Sequence, residues 1–149
     1  MPSTLRTGHI GLNVTDIDRS LAFYADLFGF QVIGEGKEGE SRYAFLGQDG
    51  ALVLTLWQQA GAAYDPARAG LHHLAFEVPA IEDVRAAEEQ LRAQGTEFAY
   101  EGVVAHREGG ASGGIFFRDP DGTRLEIYAP TGAEEAPAPS ATAPTCGFF

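Results

Sequence analysis

The sequence predicts an α+β fold built from two βαβββ modules, and three observations carry that prediction. A short pattern occurs twice: "HIGLNVTDID" starts at His9 and "HLAFEVPAIED" at His73, so that Leu12 matches Phe76, Val14 matches Val78 and Ile17 matches Ile81. Each copy runs from a strand-like alternation straight into residues spaced for a helix. Behind each helix come three apolar stretches punctuated by glycine, the pattern of consecutive strands.

The first strand lies around His9–Val14, and Thr15 or Asp16 suits the N-cap of the helix that follows. That helix carries Ile17, Leu21, Tyr24, Leu27 and Phe28 on one face and stops before Gly29. Strands are expected around Phe30–Glu35, Arg42–Leu46 and Ala51–Trp57. In the second copy the helix carries Ile81, Val84, Ala87 and Leu91, and Gly95 suits the residue just past its end. Its strands are expected around Glu97–Val104, Gly114–Phe117 and Thr123–Tyr128. Between the last two, Asp119-Pro120-Asp121-Gly122 reads as a hairpin tip: Pro presets one φ and Gly takes a positive one.

At 149 residues the chain has one domain's worth of length, and 44% apolar residues can fill a core. The expected organisation is one domain over residues 1–130, with modules at about 6–65 and 70–130, and an Ala/Pro-rich tail over 131–149 that ends in "CGFF". Docking of Phe148 or Phe149 against the body competes with a frayed end. The net charge of −11 argues against nucleic acid and anionic membrane surfaces as partners, since both call for a basic patch. No apolar run approaches a membrane span and the first residues lack a signal-peptide core, so the expected location is the cytoplasm. A single cysteine, Cys146, excludes an internal disulfide and a Cys-based zinc site.

Strand parity brings out candidate functional residues. In the first strand His9, Gly11 and Asn13 face away from Ile10, Leu12 and Val14; in its copy His73, Ala75 and Glu77 face away from Leu74, Phe76 and Val78. The aliphatic faces suit the following helices, which leaves both histidines on the opposite, concave face, each followed two residues on by a small side chain. In the last strand Arg124, Glu126 and Tyr128 share a face opposite Leu125 and Ile127. A lone Glu in a strand is most simply a solvated group, and a lone strand His a satisfied core group. Two histidines at equivalent places in a repeat, together with Glu126, form a facial set suited to a divalent metal with open positions. A metal also removes the cost of burying the carboxylate.

With "HIGLNV", "HHLAFEV" and "FFRDPDGTRLEIY" in view, the chain resembles the vicinal oxygen chelate superfamily over about residues 6–130. That superfamily includes glyoxalase I, extradiol dioxygenases, fosfomycin-resistance enzymes and bleomycin-resistance proteins. The resemblance implies metal ligands at His9, His73 and Glu126, a cup-shaped curved sheet around one divalent metal ion (Fe2+, Mn2+, Zn2+ or Ni2+), and a homodimer. Aligning "DGALVLTLW" with "DGTRLEIYA" puts Leu54 at the counterpart of Glu126, or Thr55 if the register slips by one, where a glyoxalase I would hold a fourth carboxylate ligand. His106 lies close to the position of the extradiol enzymes' catalytic His, and Phe116 stands where they carry Tyr. Bleomycin-resistance proteins share the scaffold and lack the ligands.

The resulting expectation is a metal-dependent enzyme acting on a small molecule that chelates through vicinal oxygens, with dioxygenase-like chemistry favoured. Its metal ligands would be His9, His73 and Glu126, its catalytic base His106, and its pocket Leu54, Phe116, Arg124 and Tyr128. Two alternatives stand beside it: a non-catalytic protein that sequesters an antibiotic or aromatic metabolite, and a glyoxalase-like lyase or thiol transferase. His72 is expected on the core side.

Overall fold

A computed structural model describes residues 4–149. They form two compact units, residues 4–63 and 64–149, each with one four-stranded sheet.

In the first unit the element order is β1 (Ile10–Asn13), α1 (Ile17–Leu21), β2 (Gln31–Glu38), β3 (Ser41–Gln48) and β4 (Ala51–Trp57), and the sheet order is β1-β4-β3-β2. Asp16 caps α1 as its sequence position suggests: its Oδ1 accepts from the backbone N–H groups of Asp18 and Arg19 at 3.0 and 3.1 Å. The helix does not run on in one register to Gly29 as expected. Beyond Leu21 it widens into a π-helical turn, Ala22–Leu27, in which Phe28 N–H reaches back to the Phe23 carbonyl. The widening re-aims the apolar residues, so Tyr24 is fully buried while Leu21, Leu27 and Phe28 are only half-buried. Leu12, Val14, Ile17, Leu46, Leu54 and Leu56 complete this unit's core.

The second unit repeats the order with β5 (Leu74–Glu77), α2 (Ile81–Ala93), β6 (Val104–Ala105), β7 (Gly113–Arg118) and β8 (Arg124–Ala129), arranged β5-β8-β7-β6. Asp83 Oδ2 accepts from the Ala80 N–H at the start of α2, at 3.2 Å. At its end Gly95 (φ +76°) lets the N–H groups of Gly95 and Thr96 reach the carbonyls of Arg92 and Leu91, a Schellman stop. Ile81, Val84 and Leu91 are the buried residues of α2, which lies against β7 and β8. At the hairpin tip Gly122 takes φ +86°, and Asp119 Oδ1 accepts from the N–H groups of Asp121 and Thr123.

One expectation needs correction here. The strand expected over Glu97–Val104 is reduced to Val104–Ala105 and an isolated bridge between Phe98 and Phe117, because Gly102 (φ +70°) turns the chain out of the ladder. The stretch after Thr131 packs on the second unit: Ala133, Thr145 and Phe149 are buried, while Phe148 is exposed. Backbone bonds from Ala105 N to Pro137 O and from Thr145 N to His106 O pin it beside β6.

Candidate metal and substrate site

Glu126 is 2% exposed, in the middle of β8. The register of the second sheet explains its company, since Glu126 lies opposite Ala75 on β5 and Phe116 on β7. Ala75 is small, which leaves space over the strand, and His73 projects from the residue just before β5. His73 Nε2 stands 3.8 Å from Glu126 Oε2, and His106 Nε2 is hydrogen-bonded to Glu126 Oε1. One buried carboxylate thus faces two imidazoles, one on each oxygen. An unpartnered carboxylate at this depth would be costly, and these rings offset that cost.

Donor and acceptor rules assign the protons. A carboxylate only accepts, so His106 Nε2 carries a hydrogen toward Glu126, and in the neutral ring Nδ1 accepts from the Ser112 hydroxyl at 2.8 Å. A guanidinium only donates, so Arg124 Nη1 donates to His72 Nε2 at 3.3 Å. Neutral His72 then carries its hydrogen on Nδ1 and donates to His73 Nδ1 at 2.9 Å. Neutral His73 then carries its own hydrogen on Nε2, the atom turned toward Glu126, and a metal held at Nε2 would have to take the place of that hydrogen. Burial pushes the His73 pKa below the usual histidine value; the Glu126 charge opposes that, and His72, Arg124 and His106 reinforce it. The neutral imidazole is the form that ligates metals.

His73, Glu126 and His106 are therefore brought together within the second unit, with Phe116, Arg124 and Tyr128 around them. Phe116 is fully buried, with its ring 6.2 Å from that of His106. Tyr128 lies beside His106, ring to ring at 5.3 Å, and its hydroxyl donates to Glu77 Oε2 at 2.6 Å. That bond, helped by burial, pushes the Tyr128 pKa up to about 12. His9 is exposed in the first unit, on the residue before β1.

Leu54 is not a pocket residue. Gly11 pairs with Thr55 in the first unit as Ala75 pairs with Glu126 in the second, so the structural counterpart of Glu126 is Thr55. Leu54 corresponds to Leu125, and both are fully buried in the core. The slip arose because the glycine before each strand is not at an equivalent register: Ala51 already pairs with Gln48, whereas Thr123 lies outside β8. His72 also departs from expectation, since it is exposed and bonded to Arg124 rather than in the core.

Three participants went unnoticed in the sequence. Ser112 was hidden in a glycine-rich loop with no periodicity to read. Glu77 was legible, because it shares the His73 face and lies opposite Tyr128 in register. The His72–Arg124 link joins residues far apart in the chain, and nothing local signals it.

The donor chemistry at His73 and Glu126, a neutral imidazole turned toward a buried carboxylate, fits a divalent metal. Among the described residues, no three His, Cys, Asp or Glu side chains stand so as to hold a metal ion as they are.

This fold and this face place the chain in a known class: residues 6–127 match the family model of the Glyoxalase/Bleomycin resistance protein/Dioxygenase superfamily, and the chain belongs to it. Among curated relatives it is similar to the catechol-2,3-dioxygenase of Bacillus subtilis, at 31% identity over 87% of this chain and 44% of that one. It thus spans less than half the length of that relative, and 38% of a manganese-dependent 2,3-dihydroxybiphenyl 1,2-dioxygenase from Geobacillus genomosp. 3. The lactoylglutathione lyase of Haemophilus influenzae is 32% identical over 80% of this chain and 88% of that one. Among solved structures, a glyoxylase/bleomycin resistance protein/dioxygenase domain from Frankia sp. EAN1pec superposes with a TM-score of 0.72 at 26% identity, covering 85% of this chain and 93% of that one. The fosfomycin resistance protein FosX from Listeria monocytogenes, complexed with Mn(II) and sulfate, gives 0.61 at 26% identity over 91% and 98%.

Proposed function

We propose that the chain is a metal-dependent enzyme that takes a small molecule chelating through two neighbouring oxygens, a catechol first among them, and opens its ring with dioxygen. The observation that supports this is the buried Glu126 carboxylate with an imidazole on each oxygen. In this reading His73 and Glu126 hold a divalent ion, with manganese or iron favoured, and a second copy of the chain completes a homodimer. When bound, the metal supplies Lewis acidity and a template for two adjacent substrate oxygens.

The rest is done by side chains. His106 keeps its Nε2 hydrogen on Glu126, so a substrate hydroxyl proton reaches the ring at Nδ1, relayed through the Ser112 hydroxyl, and later returns the same way. Phe116 and Tyr128 flank that imidazole and keep water from it. Arg124, through His72, fixes the orientation of the His73 ring, with Nε2 toward Glu126.

A lyase of the lactoylglutathione type is disfavoured, because the counterpart of Glu126 is the neutral Thr55. A sequestering protein without turnover is the second reading. It is favoured by Phe116, which has no hydroxyl to offer at the position where the extradiol enzymes carry Tyr.

Elemental analysis and catechol turnover on manganese- or iron-loaded protein test the proposal. The expected result is about one metal per chain, with loss of metal in His73→Ala and Glu126→Leu. In His106→Ala, metal should be retained and kcat should fall by about 10²–10⁴-fold. Metal kept by both ligand variants would overturn the ligand assignment. Tight catechol binding with no turnover would select the sequestering reading.

A further inference from the structure

The ring of Phe149 is the least expected neighbour of the candidate site. It is 8% exposed and lies 4.7 Å from the Phe116 ring and 5.7 Å from the His73 ring, with the Arg124 guanidinium carbon 5.9 Å above it. These are one residue assigned to the metal and two assigned to the substrate pocket. Phe149 therefore fills, with a six-membered aromatic ring, the space beside His73 where an aromatic substrate would place its own. Val104, Tyr100 and Cys146 close the cluster from behind.

Its attachment is strong at one end and slight at the other. Thr145 is buried; its Oγ1 donates to the Ala105 carbonyl at 2.6 Å and its N–H to the His106 carbonyl at 2.9 Å. A single 3₁₀ turn, Thr145–Gly147, leads on, and Phe148 beyond it is 73% exposed. Past that turn the segment gains two long hydrogen bonds, from Tyr100 Oη to the Phe148 carbonyl at 3.2 Å and from the Phe148 N–H to the Thr145 carbonyl at 3.3 Å. An anchor, a short turn and an aromatic plug make an arm that can swing about Thr145 without disturbing β6.

We propose that Phe149 is the gatekeeping residue of this site: it occupies the aromatic subsite beside His73, and an aromatic ligand has to displace it to bind. The inference rests on the catechol reading for the identity of that ligand, but not for the covering of His73. The arm selects for ligands whose ring replaces the contacts that Phe149 makes with Phe116 and Arg124. It also shields the His73 imidazole while the site waits.

Fluorescence titration with naphthalene-2,3-diol, in buffer containing manganese, compares the full chain with Phe149→Ala and Phe148→Ala. Removing the competing ring should tighten diol binding about tenfold, whereas the exposed Phe148 should be neutral. Unchanged or weaker binding by Phe149→Ala overturns the proposal. Phe149→Leu, which keeps an apolar side chain but no ring, should shift affinity the same way and serves if the alanine variant does not fold.

Carbethoxylation of His73 by diethyl pyrocarbonate, followed by peptide mass spectrometry with His9 as internal reference, separates the two readings. It should run several-fold faster in Phe149→Ala. If no protein binds the diol, the catechol reading fails, and this rate alone decides whether Phe149 covers His73. An unchanged rate sinks the gatekeeping role.

Discussion

The two units carry the same sheet with opposite chemistry on its working face. Thr55, Trp57, Phe45 and Tyr43 in the first unit occupy the register positions of Glu126, Tyr128, Phe116 and Gly114 in the second. In the first, Tyr43, Phe45 and Trp57 stack on one another at 5.4–5.9 Å, and the Trp57 indole N–H donates to Thr55 Oγ1 at 2.9 Å. The centre of that face is thus a neutral hydroxyl held by an indole. In the second, the centre is a carboxylate, and the groups around it are imidazoles, a guanidinium and a phenol. Duplication supplied two frames, and side-chain substitution at one register position decided which frame received ionic chemistry.

The difference is also steric. A Cβ on Gly11 would meet Thr55 Oγ1 at 3.2 Å and the Trp57 indole nitrogen at 3.4 Å, so aromatic filling in the first unit reaches right up to β1. Ala75, at the same position in the second unit, pairs with Glu126 and adds only a methyl group to that face.

The largest expected effect concerns the residue that parity misplaced. If Leu54 and Leu125 are equivalent core positions, Leu54→Ala and Leu125→Ala should each cost about 2–5 kcal/mol of stability in denaturant titrations. A cost below about 1 kcal/mol for Leu54→Ala would return that residue to a pocket wall. Next comes the pair at the centre of each face. Wild-type stability should rise by about 2.7 kcal/mol when free metal is about 100 times its dissociation constant. Glu126→Leu should abolish that rise, whereas Thr55→Val should leave it intact. Without metal, Glu126→Leu should itself cost about 1–3 kcal/mol, since it leaves the His106 Nε2–H without its acceptor. A metal-dependent shift that survives Glu126→Leu would break the contrast between the units.

A smaller effect is expected at Gly114. A Cβ there would run into the Ile127 carbonyl oxygen and lie 2.8 Å from Tyr128 Cβ. Gly114→Ala should destabilise by about 1–3 kcal/mol through overpacking. It should also weaken the Tyr128–His106 contact, which the histidine ring resonances report. Wild-type stability in this variant would mean that β7 and β8 have slack, and that Tyr128 is not held by close strand approach.

The repeat was legible because apolar periodicity survives where side-chain chemistry does not. His9 against His73 and Ile17 against Ile81 gave the module length, and parity correctly turned Glu126, Arg124 and Tyr128 to one face. Parity cannot, however, count residues across a turn. The strand β4 begins right after Gly50 and β8 only after Thr123, and that one-residue difference exchanged Leu54 for Thr55. The π-helical turn at Ala22–Leu27 was illegible for a related reason, since an inserted residue in a helix leaves its apolar count unchanged. The partners of Glu126 depend on side chains that meet only after folding. Ser112 on His106 and Arg124 on His72 have no local signature, whereas the terminal aromatics drew notice because they had no reason to be exposed.

The finest contrast lies between Trp57 and Tyr128, equivalent positions of which only the second titrates. Tyr128 donates to Glu77 Oε2, so ionising the phenol would break that bond and set two anions side by side, which raises its pKa to about 12. In the unfolded chain a tyrosine titrates near about 10. Between these values the folded protein holds a proton that the unfolded chain has lost. The stabilisation is therefore complete below about pH 10 and fades as pH rises from about 10 to about 12. Glu77→Gln keeps a hydrogen-bond acceptor and removes the charge, so it should bring the Tyr128 pKa back toward the ordinary value. Tyrosinate absorbance against pH, as a difference between wild type and Glu77→Gln, reads this directly, and denaturation midpoints should lose their extra alkaline slope in the variant. Identical titration curves for the two proteins would show that the Glu77 bond does not hold Tyr128 in solution, and with it would go the argument that this phenol is positioned beside His106.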